Sequence, residues 1–318
     1  MVNRSLIRLK IVQLLYSFYQ NGGKNGGNRE NELLFSLGKA YDLYFYLLEL
    51  IVAVTRHGAD VVRRKEELNR VAHKDEEVSH RFVDNRFVAQ LDMNEQLNDF
   101  RKTKQIDWDV FSPYVRDLYT QIVQSDIYAE YMALEECDYA ADKEVWRKIY
   151  KRIILKDTAI DDVLEEEDLY WNDDKEVVDT FVLKTIKRFD EKLGKKQPLL
   201  PEFREEEDKE FAIKLLKRSI MNDEYYRDLI ARNVKNWEFN RLAYMDVLVM
   251  QVALAEMLSF PQIPVEVTIN EYVDIAKRYS TPKSGSYVNG ILDHVAKVLI
   301  KEGKLLKRFG ESNKSSQD

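Results

Sequence analysis

The stretch Ala276-Lys277-Arg278-Tyr279-Ser280-Thr281-Pro282-Lys283-Ser284-Gly285-Ser286-Tyr287-Val288-Asn289-Gly290 gathers the side chains best suited to hold a polyanion. Lys277, Arg278 and Lys283 bring positive charge. The hydroxyls of Ser284 and Ser286, with the free N–H groups at a helix start, could hold phosphate. Tyr279 and Tyr287 could stack on unpaired bases, and Asn289 could read a base edge. Gly290 inside a helix would point to a close backbone neighbour. On spacing alone, plain helix capping and core packing explain the same residues more simply. Just upstream, Pro264 can open a helix that carries Asn270 and Glu271 beside core positions. These two read either as an exposed pair or as buried links between neighbouring helices.

Other chemistry has no support in the pattern. The Gly22-Gly23 and Gly26-Gly27 pairs lack the spacing of a phosphate-binding loop. The four histidines, His57, His73, His80 and His294, form no zinc-spaced cluster. Cys137 is the one cysteine, so no intrachain disulfide can form, which fits a reducing compartment. Nothing points to a nucleophile, a cofactor or a metal, so the expectation is a protein that is not an enzyme. The formal net charge is −7, so any nucleic-acid site must be a local basic patch working against long-range repulsion. No stretch is long and apolar enough for a membrane span, and a cytoplasmic protein is expected.

The elements that must position these residues read as helices throughout. Gly (11) and Pro (6) are scarce for 318 residues, which disfavours a turn-rich β fold. A first helix is predicted over 3–20, with Asn3 as its cap and Ile7, Ile11, Leu14, Leu15 and Phe18 on one apolar face. Arg4 and Arg8 lie a turn apart on another face, with Lys10 nearby. A long helix is predicted over 30–70, with His57-Gly58 as the place for a bend, and Ser112-Pro113 opens another. Residues 157–176 are acidic, read as a solvated surface or as a docking surface for a basic partner. Lys195-Lys196-Gln197-Pro198 and Pro201 mark a linker. Beyond it come regular apolar helices, with Val267 among the inward positions, and a polar tail. Leu118, Asp126 and Tyr128 precede Leu215, Asp223 and Tyr225 by a constant 97 positions, consistent either with an old duplication or with chance.

The segments Ile269-Asn270-Glu271, Ile275-Ala276-Lys277 and Tyr287-Val288-Asn289-Gly290-Ile291-Leu292-Asp293 resemble the NusB family pattern I-N-E … A-K … [FY]-V-N-G-[VI]-L-D. The helix carrying Ala253-Leu254-Ala255-Glu256-Met257 resembles its central helix. Arg8 followed by Val12-Gln13-Leu14-Leu15-Tyr16 is similar to its first helix. The resemblance implies an all-α fold, with a NusB-like bundle at the C-terminus and an additional helical region. Residues 1–20 would supply the bundle's first helix, 21–204 an insertion or diverged region, 205–308 the rest of the domain and 309–318 a disordered tail.

The resemblance also implies a function. Such proteins bind the single-stranded boxA element of nascent RNA together with NusE, a small-subunit ribosomal protein. They then join other Nus factors on RNA polymerase, with no cofactor and no membrane. Carried over by position, Arg4, Arg8, Lys10, Lys283, Ser284, Ser286, Tyr287 and Asn289 would face RNA, while Tyr16 and Asp246 would face NusE. Arg4, Arg8 and Lys283 would share one basic face, with the first helix beside the helix that starts near Ser286. The alternative is a protein-docking adaptor whose NusB-like domain has lost RNA binding. The sequence departs from the family in a sparser N-terminal arginine cluster and in the long region 21–204. A fused RNA-modifying enzyme, another setting for such domains, would need a cofactor-binding unit that is not seen here.

Overall fold

Local signals in the sequence translate directly into helices. Asn3 adopts extended backbone angles and its side chain accepts from the Leu6 amide, opening α1 (Arg4–Gln20). The computed structural model describes residues 1–22, 28–104, 106–171, 173–234 and 242–305. Among these there are fourteen α-helices and no β-strand. The expected tail at 309–318 lies outside the described residues.

The chain divides into two compact units. One comprises Met1 and Gly38–Glu202, the other Val2–Leu37 and the chain from Phe203 onward. The division falls within α2 (Arg29–Val71), which runs through His57-Gly58 as one helix.

The first unit contains α3 (Arg86–Asp92), α4 (Glu95–Lys104), α5 (Ser112–Val123), α6 (Asp126–Met132), α7 (Tyr139–Arg152), α8 (Ala159–Glu167) and α9 (Lys175–Arg188). Its core centres on α7, whose Trp146, Ile149 and Tyr150 are fully buried, packed against α9 and α3. One carboxylate links three of these elements. Asp142 accepts from Arg86 Nε at 2.8 Å, from Tyr131 Oη at 2.6 Å and from Cys137 Sγ at 3.0 Å. In the acidic stretch, α8 turns Ile160, Val163 and Leu164 inward and leaves Asp161, Asp162, Glu165, Glu166 and Glu167 exposed.

The second unit contains α1, the start of α2, α10 (Glu206–Met221), α11 (Asp223–Asn233), α12 (Tyr244–Ser259), α13 (Val265–Tyr279) and α14 (Ser284–Lys301). Its centre is α12, buried without interruption from Asp246 to Met257, as a helix apolar on every face must be. A parallel β-bridge joins Val2 to Phe203. Asp126 and Asp223, which share the 97-residue offset, each begin a helix, α6 and α11.

Two packing expectations are corrected. The main neighbours of α1 are α10 and α12, with fewer contacts to α13, while α14 packs mainly on α13, α11 and α12. Val267, read as inward, is 43% exposed, because α13 turns Val265, Thr268, Ile269 and Tyr272 to the core instead.

Candidate nucleic-acid interface

Arg8 sits in the second unit's interior, not on a basic face. Its side chain is 3% exposed and that of Glu256 is fully buried. Arg8 donates from Nε to Glu256 Oε2 at 2.7 Å and from Nη2 to Oε1 at 2.9 Å. Its Nη1 lies 3.2 Å from Glu271 Oε2. Thr268 Oγ1 and Tyr272 Oη add hydrogen bonds to the Glu256 carboxylate at 2.8 and 3.2 Å. Burial works against the Arg8 charge, but the hydrogen bonds and charge of Glu256 outweigh it and hold the guanidinium protonated. Tyr272 is pushed far above its usual range, first by burial and then by Glu256.

This arrangement settles several of the sequence's alternatives. Arg8 cannot face RNA, because its donors are spent inside the fold. Lys10 cannot either, being 4% exposed in a segment of α1 where Leu6 through Val12 are all buried. Of the Asn270-Glu271 pair, Asn270 is exposed, whereas Glu271 ties α13 to α1. Sequence reasoning missed Glu256, Thr268 and Tyr272. The available signal was a carboxylate, Glu256, set among Val252, Ala253, Leu254 and Met257 in a strongly apolar helix, where a buried charge needs a partner.

Arg4 remains partly available. Its side chain is 39% exposed and pairs with Asp208 at 3.3 Å, and its guanidinium lies 5.1 Å from the Phe211 ring centre. Tyr16 is exposed, with its ring 5.9 Å from that of Tyr244.

The 280–289 segment is built around a turn. The Ser284 amide donates to Thr281 O at 2.9 Å, closing Thr281-Pro282-Lys283-Ser284. Pro282 holds the second position, and Lys283 has φ −92° and ψ −13°, as a type I turn requires at the third. Lys283 is thereby exposed at the apex, immediately before α14. Ser286 and Asn289 are exposed on the first turns of α14, and Tyr287 is half-buried. Burial and then the Asp246 carboxylate push the Tyr287 phenol upward.

Ser284 and Asp246 are corrected. Ser284 is 1% exposed and donates to Asp246 Oδ2 at 2.9 Å, so its hydroxyl is not offered to phosphate. Asp246 is 5% exposed, so it cannot meet a partner protein. Gly290 is exposed and a side chain there would meet nothing within 4 Å, so it marks no close approach. Gly285 does: a Cβ there would lie 2.6 Å from Lys277 Cγ, where the stem of that lysine crosses onto α14. Among the described residues, no His, Cys, Asp and Glu cluster is arranged to hold a metal, and no helix is long and apolar enough to cross a membrane.

The family model described as the NusB family matches residues 176–297, a span that runs from α9 into α14. The transcription antitermination protein NusB of Koribacter versatilis is 39% identical over 100 residues, covering 31% of this chain and 68% of that protein. The chain belongs to the NusB family. The NusB of Chloroherpeton thalassium is 43% identical over 99 residues, covering 31% of this chain and 47% of its own length. That of Thermotoga maritima is 51% identical over 70 residues, covering 22% and 49%. The chain thus spans about half the length of these two NusB relatives. A solved structure of T. maritima NusB aligns with 34% identity over 46% of this chain and 91% of that one, at a TM-score of 0.30.

Proposed function

We propose that this chain is a transcription antitermination factor. In this reading it binds boxA-type single-stranded RNA together with NusE. It then joins other Nus factors on RNA polymerase in the cytoplasm and keeps ribosomal RNA transcription processive. The observation that carries the reading is the exposed Lys283 at its turn apex, followed by exposed Ser286 and Asn289 on α14, all inside the family-matched span. Lys283 supplies charge for a phosphate, and the start of α14 adds the positive end of a helix dipole. Asn289 can pair with a base edge, and Tyr287 offers a ring beside it. Exposed Tyr16 is the remaining candidate for the NusE-facing surface. The mechanism is positional, with no covalent step and no cofactor.

The test is fluorescence anisotropy of a labelled boxA RNA and a scrambled control, each with and without NusE, over a range of salt. The reading expects boxA to bind more tightly than the control, with NusE strengthening it. Equal binding of both RNAs under all conditions would sink it.

Burial of Arg8 and Lys10, in a chain of net charge −7, favours a second reading. Here the domain is an adaptor that docks protein partners and no longer holds RNA. NusE binding without any boxA preference would select it.

A further inference from the structure

Asp246 lies in the first turn of α12, a carboxylate almost wholly removed from water. Burying such a group is costly unless it does something for the fold. Its Oδ2 accepts from Ser284 Oγ at 2.9 Å. A carboxylate can only accept here, so the single Ser284 hydroxyl proton points at Asp246. That leaves the lone pairs of Ser284 Oγ for other donors. The Thr281 amide donates to it at 3.1 Å, and Thr281 Oγ1, at 2.8 Å, must then be the donor in its own contact. The Ser280 hydroxyl lies 3.1 Å away. Thr281 and Ser284 therefore bond three times, amide to hydroxyl, hydroxyl to hydroxyl and amide to carbonyl. Between them stand only Pro282 and Lys283.

We infer that Asp246 is a positioning residue for RNA: through Ser284 it locks the Thr281–Ser284 turn and so fixes where Lys283 is presented. This rests on the RNA-binding reading above. Asp246 itself touches no RNA, and its negative charge stays shielded beneath the turn. The chain of contacts runs from a rigid, fully packed helix to a flexible lysine that would otherwise sample many positions. A preorganised charge loses less entropy on binding than a free one.

The experiment uses the full chain in four forms: wild type, Asp246→Ala, Lys283→Ala and the double variant. Asp246→Asn is the conservative control, since its amide oxygen still accepts from Ser284. Ser284→Ala cuts the same link without altering α12. Each is titrated with labelled boxA RNA and NusE across salt, and amide hydrogen exchange is followed in 280–286 and in α12. The expected result is that Asp246→Ala and Ser284→Ala weaken binding as much as Lys283→Ala. Each should flatten the log–log salt slope by about 0.7, the value for one phosphate on a single strand. The double variant should bind no worse than either single, and Asp246→Asn should bind nearly as wild type. Exchange should quicken in 280–286 while α12 stays protected.

Additive losses, or full affinity in a folded Asp246→Ala protein, overturn the inference. If wild type binds no RNA at all, the functional reading fails, and the positioning of Lys283 for RNA falls with it. Exchange then still judges the anchoring alone, and unchanged protection in 280–286 of both Asp246→Ala and Ser284→Ala refutes that too.

Discussion

Arg8 and Glu256 meet through two hydrogen bonds, 2.7 and 2.9 Å long, although 248 positions separate them in the chain. The pair sits at the crossing of α1 and α12, with Glu271 of α13 on the far side of the guanidinium. It ties α1 to α12 and α13 by charge in the interior of the second unit.

Removing one partner of this pair should cost far more than removing both. Glu256→Ala leaves the Arg8 charge in the interior with only the half-buried Glu271, and should destabilise the second unit by about 3–5 kcal/mol. Arg8→Met with Glu256→Leu should be markedly less harmful, since no orphaned charge remains. Urea unfolding followed by hydrogen exchange in α1 and α12 measures both. Equal losses would mean that the charges are not the decisive contact.

RNA binding should separate surface charge from base reading. Lys283→Glu should weaken all RNAs and flatten the salt dependence. Asn289→Ala should reduce the preference for boxA over a scrambled RNA and leave the salt slope as it was. Both side chains are exposed, so neither change should disturb folding, which circular dichroism checks. A shift in salt slope with Asn289→Ala would contradict its role as a base reader.

The Asp142 carboxylate makes the first unit sensitive to acid. Burial pushes it upward, but hydrogen bonds from Cys137, Tyr131 and Arg86 together outweigh this and hold it below the usual carboxylate value. A depressed pKa in the folded state means stability that is present above about pH 4, the unfolded value, and lost as pH falls through the folded one. Urea midpoints for the wild type should therefore decline on acidification below that point. Asp142→Asn should start lower at neutral pH and show a shallower acid decline. Parallel pH profiles for the two proteins would show that Asp142 carries none of it.

Gly285→Ala should strain the contact between α13 and α14. The added methyl would lie 2.6 Å from Lys277 Cγ, near the root of that side chain, where it has little room to swing aside. A loss of about 1–3 kcal/mol is expected, as for other overpacked sites. Combining it with Lys277→Ala should restore most of the loss. Thermal melts of the single and double variants provide the check.

The helices themselves were legible. The Asn3 cap, the apolar spacing of α1 and the Pro113 start of α5 are local signals, and the structure follows them. Scarce Gly and Pro argued against a turn-rich β fold, while helical spacing and the family resemblance of a few N- and C-terminal segments gave the all-helical class. What the sequence concealed was the depth of α1. Arg8 and Lys10 sit at spacings that read as a solvated face, and only the tertiary partners Glu256 and Glu271 show otherwise. Ser284 and Asp246 were misread for the same reason. A hydroxyl and a carboxylate look like ligands for RNA and protein until each proves to be the other's partner.

The bond between Arg8 and Glu256 also sets a clock for synthesis. When α1 leaves the ribosome, its acidic partner has not been made, and 248 residues must follow. At roughly 5–20 residues per second, that is a wait of about 12–50 s. Throughout it, an amphipathic helix with a bare arginine has no core to enter. The nascent chain must therefore keep α1 soluble or lend it to a chaperone until α12 emerges. Slowing translation between the codons for Gln20 and Tyr244 would lengthen that exposure without changing a single residue of the finished protein.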